Sequence, residues 1–375
     1  MVSNLPGVSY LFDVIFTIMY FDPQPKNKKE DLYNFEKEYN ALHNAIKRNE
    51  RIIVIKGIRR TGKTSLMKVV YNELNVPKIF IDGRVIPPKQ GEIFNTLLEN
   101  SIFALTESFA DLKIRKLVKE IGISFGASVK FSLSAEIKSF GKIDKILQRK
   151  RTKLIMFIDE AQKLKAGNIS GIIAHLFEHT KNVIVVIAGS EIGILDAVIG
   201  KDAESDLYGR PKKLIELRRL KKENSIAFLR IGFKQCKKKI DEEYILEAIE
   251  TFDGIIGWLT LFGYYSLQYD AREAIEIVKK EGSKIVAKEI EHFLQLRMEA
   301  KERYLKLMEA LSTPLRWVEV KRFLEAHEGK KINDKMVTKY LHELQKYGFI
   351  SHRDRRYSLA DPMIKEAINL LTSGK

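Results

Sequence analysis

One stretch limits this chain more than any other: Arg51-Ile52-Ile53-Val54-Ile55-Lys56-Gly57-Ile58-Arg59-Arg60-Thr61-Gly62-Lys63-Thr64-Ser65. An apolar run stops at Gly57, and Gly57, Gly62, Lys63 and Thr64 stand at the spacing of a P-loop. That spacing demands a buried strand that ends, and a helix that begins, around a group of phosphates. Gly57 and Gly62 let the backbone turn tightly and bring its N–H groups to phosphate oxygens. The helix opening near Lys63 points its positive end at the same anion. Residues Gly57, Ile58, Arg59, Arg60, Thr61, Gly62, Lys63, Thr64 and Ser65 form the expected cradle. Lys63 would reach the β- and γ-phosphates, and the Thr64 hydroxyl would ligate Mg²⁺. The strand before the loop, and Leu66, Val69, Val70 and Leu74 after it, supply the context the pattern needs.

A second constellation complements the first. Leu154 to Ile158 is apolar and ends in Asp159-Glu160. An acidic pair at the end of a buried strand is a Walker B element. Asp159 would hold the Mg²⁺ that also meets Thr64. Glu160 would orient or activate the attacking water as a positioned carboxylate base. Asp82-Gly83 also ends a strand and is a weaker rival; its short distance from the P-loop helix makes it the expected adjacent strand.

Other polar residues carry two readings each. Ser190, after the apolar run Val183 to Ala188, is a sensor of the γ-phosphate or its water, or a turn serine. Arg210, in Leu207-Tyr208-Gly209-Arg210-Pro211, stabilises transition-state charge or is one surface arginine in a basic chain. Arg59 and Arg60 help neutralise the nucleotide or face solvent. No guanine-selecting Asn-Lys-x-Asp or Thr-Lys-x-Asp element is present, which favours ATP over GTP.

Strand–helix alternation around a P-loop predicts an α/β domain with a doubly wound parallel sheet and its chemistry at the carboxyl ends of the strands. Continuous apolar strands suit a sheet covered on both faces. Expected strands are 51–56, Lys78–Asp82, 153–160 and Val183–Ala188, with helices over Glu30–Lys47 and Ile93–Phe109. Ser124 to Ile137 alternates apolar and polar residues, which predicts a strand or hairpin. Beyond Leu217 only helical periodicity is left, over 221–240, 242–252, 259–269, 270–281 and 284–309. Helices at 304–311, 317–326 and 334–347, then a hairpin over 348–359, outline a winged helix-turn-helix. The expected division is therefore an extension at 1–20, a P-loop core at 21–217, a helical lid at 218–300 and a winged helix at 301–375.

The apolar stretch Tyr10 to Phe21 is too short to span a bilayer and lacks the basic start of a signal peptide. No membrane association is expected, and residues 1–18 are expected to add little to function. Cys236 is the only cysteine, so no internal disulfide can form, which fits a cytoplasmic setting. A net charge of +16 has two readings, contact with an anionic partner or a lysine-rich surface laced with ion pairs. Residues 301–375 carry 16 Lys and Arg against 10 Asp and Glu, a net of +6. Duplex DNA is one expected partner, through Lys335, Lys339, His342 and Lys346 on the 334–347 helix and Arg353, Arg355 and Arg356 on the wing. A protein partner, or intramolecular packing of the winged helix, is the other. The oligomeric state is left open.

Gly57-Ile58-Arg59-Arg60-Thr61-Gly62-Lys63-Thr64-Ser65-Leu66, Phe157-Ile158-Asp159-Glu160-Ala161-Gln162 and Leu207-Tyr208-Gly209-Arg210 together resemble the archaeal ATPase family of P-loop proteins, in the STAND branch related to AAA+ ATPases. The lead-in Phe21-Asp22-Pro23-Gln24-Pro25 through Glu38 is similar to the family's N-terminal segment. The resemblance runs from about residue 20 to the end. It implies an ATPase core, a helical lid and a C-terminal winged helix. It gives Lys63, Thr64, Asp159 and Glu160 the P-loop and Walker B roles, and Arg210 a phosphate-sensing one. Two departures stand out. Asn34-Phe35-Glu36-Lys37-Glu38 lacks the arginine of the family's Gly-Arg-Glu-x-Glu, and Ile256 stands where a lid proline is expected.

Overall fold

A computed structural model describes residues 20–109, 133–200 and 205–373. The apolar stretch before Met19 and most of the alternating segment 124–137 lie outside the described residues. Where description resumes, Leu133–Arg149 is a helix, so the end of the expected hairpin is helical instead.

Five strands form one parallel sheet: β1 (Ile52–Lys56), β2 (Lys78–Asp82), β3 (Leu154–Asp159), β4 (Val183–Gly189) and β5 (Lys213–Glu216), in the order β2-β3-β4-β1-β5. Their apolar runs are explained by period two. Ile52 and Val54 enter one core with Met156, Ile158, Val185 and Ile187. Ile53 and Ile55 enter the other with Ile155, Phe157, Ile184 and Val186. Helices cover each face: Gln90–Ser108 and Ile169–His179 on the first, Glu36–Lys47 and Lys63–Glu73 on the second. The register sets Asp82 beside Asp159 and Lys56 beside Gly189, so the carboxyl ends of four strands lie flush.

Three features differ from expectation. β2 is not next to β1; it pairs with β3 at the sheet edge. Lys213–Glu216, whose pattern is too short to read as a strand, adds the opposite edge. The lead-in helix starts only at Glu36, because Asn34 takes a left-handed conformation (φ 60°) and turns the chain after a short 3-10 turn at Lys29–Asp31.

The helical region holds Lys222–Gln235, Glu242–Phe252, Ile256–Ser266 and one long helix, Ala271–Gln295. The expected break at 281–284 is absent. Gly282 sits where Met363 and the Trp258 ring come within 3.2 Å of a Cβ position, so it serves packing and does not end the helix. The winged helix follows: helices Lys301–Ala310, Trp317–Glu328 and Asp334–Lys346, with a small antiparallel sheet of Leu315–Arg316, between the first two helices, and Ile350–Arg353 and Arg356–Leu359 after the third. Asp354 and Arg355, both left-handed (φ 50° and 61°), make the two-residue turn at the wing tip. A last helix, Met363–Ser373, packs along Ala271–Gln295, an element sequence reasoning missed. One core runs from Phe228 to Ile368, and Phe21 of the lead-in is buried in it. Among the described residues no helix is long and apolar enough to cross a membrane.

Candidate functional site

β1 ends at Lys56, and the chain turns through Gly57–Gly62 into the helix beginning at Lys63. Gly62 has φ 89°, and a Cβ there would lie 2.6 Å from the Phe35 ring, so only glycine fits. Lys63 is buried and donates to the carbonyls of Gly57 (2.8 Å) and Ile58 (2.7 Å). Burial pulls its ammonium down to about pKa 8, against the opposing pull of Glu160 and Asp159. An anion at the loop competes with those two carbonyls for the ammonium and stabilises its charged form.

Thr64 and Asp159 meet across the sheet. Thr64 Oγ1 donates to Asp159 Oδ2 at 2.6 Å. Burial raises the Asp159 pKa, and the Thr64 hydrogen bond opposes the rise. A hydroxyl beside a carboxylate is a hard oxygen pair suited to Mg²⁺, which fills the rest of its shell with water and phosphate oxygens. Among the described residues no cluster of three or more His, Cys, Asp or Glu could hold a metal. The donors present therefore fit a cation shared with phosphates, not a closed protein cage.

Glu160 follows in the left-handed region (φ 49°), and this turns its side chain out of the strand line. Its Oε2 accepts from Ser190 Oγ at 3.0 Å and from Gln162 Nε2. Ser190 thus belongs to the site through Glu160. A cavity of about 330 Å³ is lined by Lys63, Thr64 and Glu160, and also by Pro23, Pro25 and Tyr33 of the lead-in and Phe228, Ile256 and Leu261 of the helical region. Apolar walls beside a cationic loop match a ligand with a flat base and a charged tail. No sequence pattern marks Tyr33, Phe228 or Leu261 as site residues, because three separate elements bring them together.

Arg59 and Arg60 line the same cavity and do not simply face solvent, since each is held by ion pairs. Arg59 pairs with Glu191 (3.1 Å) and Glu289 (3.4 Å) and donates to the Tyr347 carbonyl (3.3 Å). Arg60 pairs with Glu289 (3.0 Å) and Asp361 (3.6 Å), and its guanidinium stacks 4.2 Å from the Trp258 ring centroid. The loop tip is tied to the long helix and to the winged helix. The expected phosphate role of Arg210 is corrected by its position. It lies just before β5, whose first residue Lys213 pairs with Ile53 near the amino end of β1, opposite the P-loop. There it pairs with Glu178 at 2.6 Å.

Comparisons with known proteins bear on the family and the fold. No curated protein matches the chain. The chain resembles the Walker-type ATPase of Pyrococcus abyssi over 93% of its own length and 99% of that chain, at 26% identity and a TM-score of 0.73. The fold is also that of the Aeropyrum pernix ORC2 protein, with 95% and 97% covered, 14% identity and a TM-score of 0.55. Residues 298–360 match the MCM C-terminal winged helix-turn-helix domain. Residues 32–262, more than half of the chain, match the ATPase domain found predominantly in Archaea, and the chain belongs to that family of P-loop ATPases.

Proposed function

We propose that this protein is an ATP-binding, slowly hydrolysing molecular switch of the STAND and AAA+-like kind, in which the winged helix reads the nucleotide state of the P-loop. Lys63 would hold the β- and γ-phosphates, and Glu160 would take a proton from the attacking water. Mg²⁺ on Thr64 and Asp159 would neutralise phosphate charge.

One observation carries the coupling. The two arginines inside the phosphate loop make their ion pairs with Glu289 of the long helix, Glu191 at the end of β4 and Asp361 beside the winged helix. Asp361 is in turn held by Trp258 Nε1 at 3.0 Å. A phosphate that draws Lys63 off the Ile58 carbonyl acts one residue away from Arg59. Nucleotide can shift the winged helix only through contacts that differ between two arrangements, and these ion pairs are the contacts this reading assigns to that role.

Glu289→Gln tests the coupling without touching Lys63, Thr64 or the Walker B pair. ATP affinity should stay within about threefold, since Glu289 lies outside the phosphate cradle; the single Gln oxygen keeps one of the two arginine contacts that Oε1 and Oε2 make, and the charge is lost. Hydrogen exchange over 301–373 should change with nucleotide in the wild type and respond much less in the variant. An equal response in both proteins removes the latch from the account.

A second reading, duplex DNA binding by the winged helix, is favoured by the exposed Arg353 and Arg355 at the wing and by Lys335, Lys339 and His342, exposed on the 334–346 helix. Lys346 leaves the expected set. It is half-buried against Gly193, where a Cβ would come within 2.6 Å of its Cα. Arg356 donates to the Pro314 carbonyl at 3.0 Å and is partly occupied. Replacing Arg353, Arg355 and Arg356 together by alanine should weaken binding across unrelated sequences. It should flatten the log–log salt slope by about two, one for each of the two arginines whose side chains have no ion pair or hydrogen bond among the described residues. An unchanged slope would place the contact elsewhere.

A further inference from the structure

Gln162 stands two residues after the acidic pair and is 4% exposed. Its Nε2 donates to Glu160 Oε2 and lies 3.4 Å from Ser190 Oγ, which donates to the same carboxylate oxygen. One oxygen of Glu160 therefore takes two donors. The other takes none from the described residues. The far end of the Gln162 amide explains why this matters. Its Oε1 is buried and has no hydrogen-bond partner among the described residues. A buried carbonyl left unpaired forfeits its hydration with nothing in return. Turning the amide over gives no relief, because Oε1 would then face the Glu160 carboxylate, acceptor against acceptor. The fold holds the amide in this seat. The backbone of Gly189 lies so close that a Cβ there would collide with Gln162 Oε1. A persistent unsatisfied group in a fixed seat calls for a role beyond packing.

We propose that Gln162 is a positioning residue for hydrolysis: with Ser190 it fixes one oxygen of Glu160 so that the other is presented to the attacking water. The proposal rests on the reading of Glu160 as the base. In the step, the water oxygen bonds to the γ-phosphorus, the bond to the ADP oxygen breaks, and the water proton passes to the free oxygen of Glu160. Gln162 exchanges no proton. It limits the rotation of the carboxylate, which its left-handed backbone alone does not do.

The test compares Gln162→Leu, Gln162→Glu and Glu160→Gln in the full chain, reading ATP affinity by calorimetry and kcat across pH 6 to 9. Gln162→Leu should lower kcat about tenfold to a hundredfold, part of the range a positioned base supplies, with affinity within about threefold. The double variant Gln162→Leu with Glu160→Gln should be no slower than Glu160→Gln alone, because Gln162 acts only through that carboxylate. Gln162→Glu keeps the volume and sets two carboxylates face to face, sharing one proton when the medium is acidic enough. Its kcat should be depressed at pH 8 and recover toward pH 6, a change of profile that a packing role would not produce. Should Gln162→Leu fail to fold, Gln162→Glu decides alone. Wild-type kcat and profile in both Gln162 variants, while Glu160→Gln is inactive, overturn the proposal and leave the base intact. A further tenfold loss in the double variant also overturns it. Wild-type turnover by Glu160→Gln overturns the base and, with it, this inference.

Discussion

Lys63→Ala is expected to weaken ATP binding by a hundredfold or more, about 3 kcal/mol, the scale of hydrogen bonds to charged groups. The reason lies in where the ammonium sits. It is buried at the carboxyl end of β1, and among the described residues its donors meet only the Gly57 and Ile58 carbonyls. Phosphate oxygens offer full negative charge at the same place, so a large part of the gain on binding passes through this one group. The fold should survive, because alanine removes a desolvated charge along with its two hydrogen bonds. Calorimetry with magnesium present measures the affinity, and thermal unfolding checks the fold. The same group gives a pH dependence of known sign. Burial depresses Lys63 to about pKa 8, so its positive form is lost in the free protein as pH rises through 8. Bound phosphate favours the charged form and raises that pKa. ATP binding should therefore take up a proton above pH 8 and weaken from pH 7 to pH 9. Titrations in buffers of different ionisation enthalpy read this uptake directly. Equal affinity for Lys63→Ala and wild type would remove the P-loop from the binding site.

The parts of this site that the sequence reveals are those in which one short segment does one job. Gly57 to Ser65 must turn around phosphates, and the residue types say so. Asp159-Glu160 must end a buried strand, and Leu154 to Ile158 say so. Parallel pairing of β3 and β4 through their apolar runs follows from the same pattern. What stays hidden is what depends on pairing between distant elements. The insertion of β4 between β1 and β3 has no local signature, and it is what brings Ser190 to Glu160. Arg59 and Arg60 look like loop arginines because Glu289 and Asp361 lie more than two hundred residues away. Arg210 misleads for the opposite reason: its motif is local, and the strand after it runs away from the opposite end of the sheet. Gly282 reads as a helix end because propensity ignores that Met363 and Trp258 need the space.

Glu160→Gln is expected to leave ATP binding within about threefold of wild type and to lower kcat by about 10²–10⁴, the contribution of a positioned general base. The geometry makes this a clean substitution. A glutamine oxygen at position 160 can still accept from Ser190 Oγ and Gln162 Nε2, so the side chain keeps its two anchors. The negative charge and the capacity to take a proton are removed. Asp159→Asn should separate from it. Asn keeps an acceptor for Thr64 Oγ1 but loses the charge that a divalent cation needs beside that hydroxyl. ATP affinity in Asp159→Asn should therefore be nearly the same with and without Mg²⁺, whereas in Glu160→Gln it should keep its magnesium dependence. Binding isotherms with and without chelator, and single-turnover hydrolysis, separate the two residues. Glu160→Gln hydrolysing at the wild-type rate would show that the base lies elsewhere. Equal magnesium dependence in both variants would show that Asp159 holds only the Thr64 hydroxyl and the Glu160 backbone N–H, which it receives at 2.9 Å.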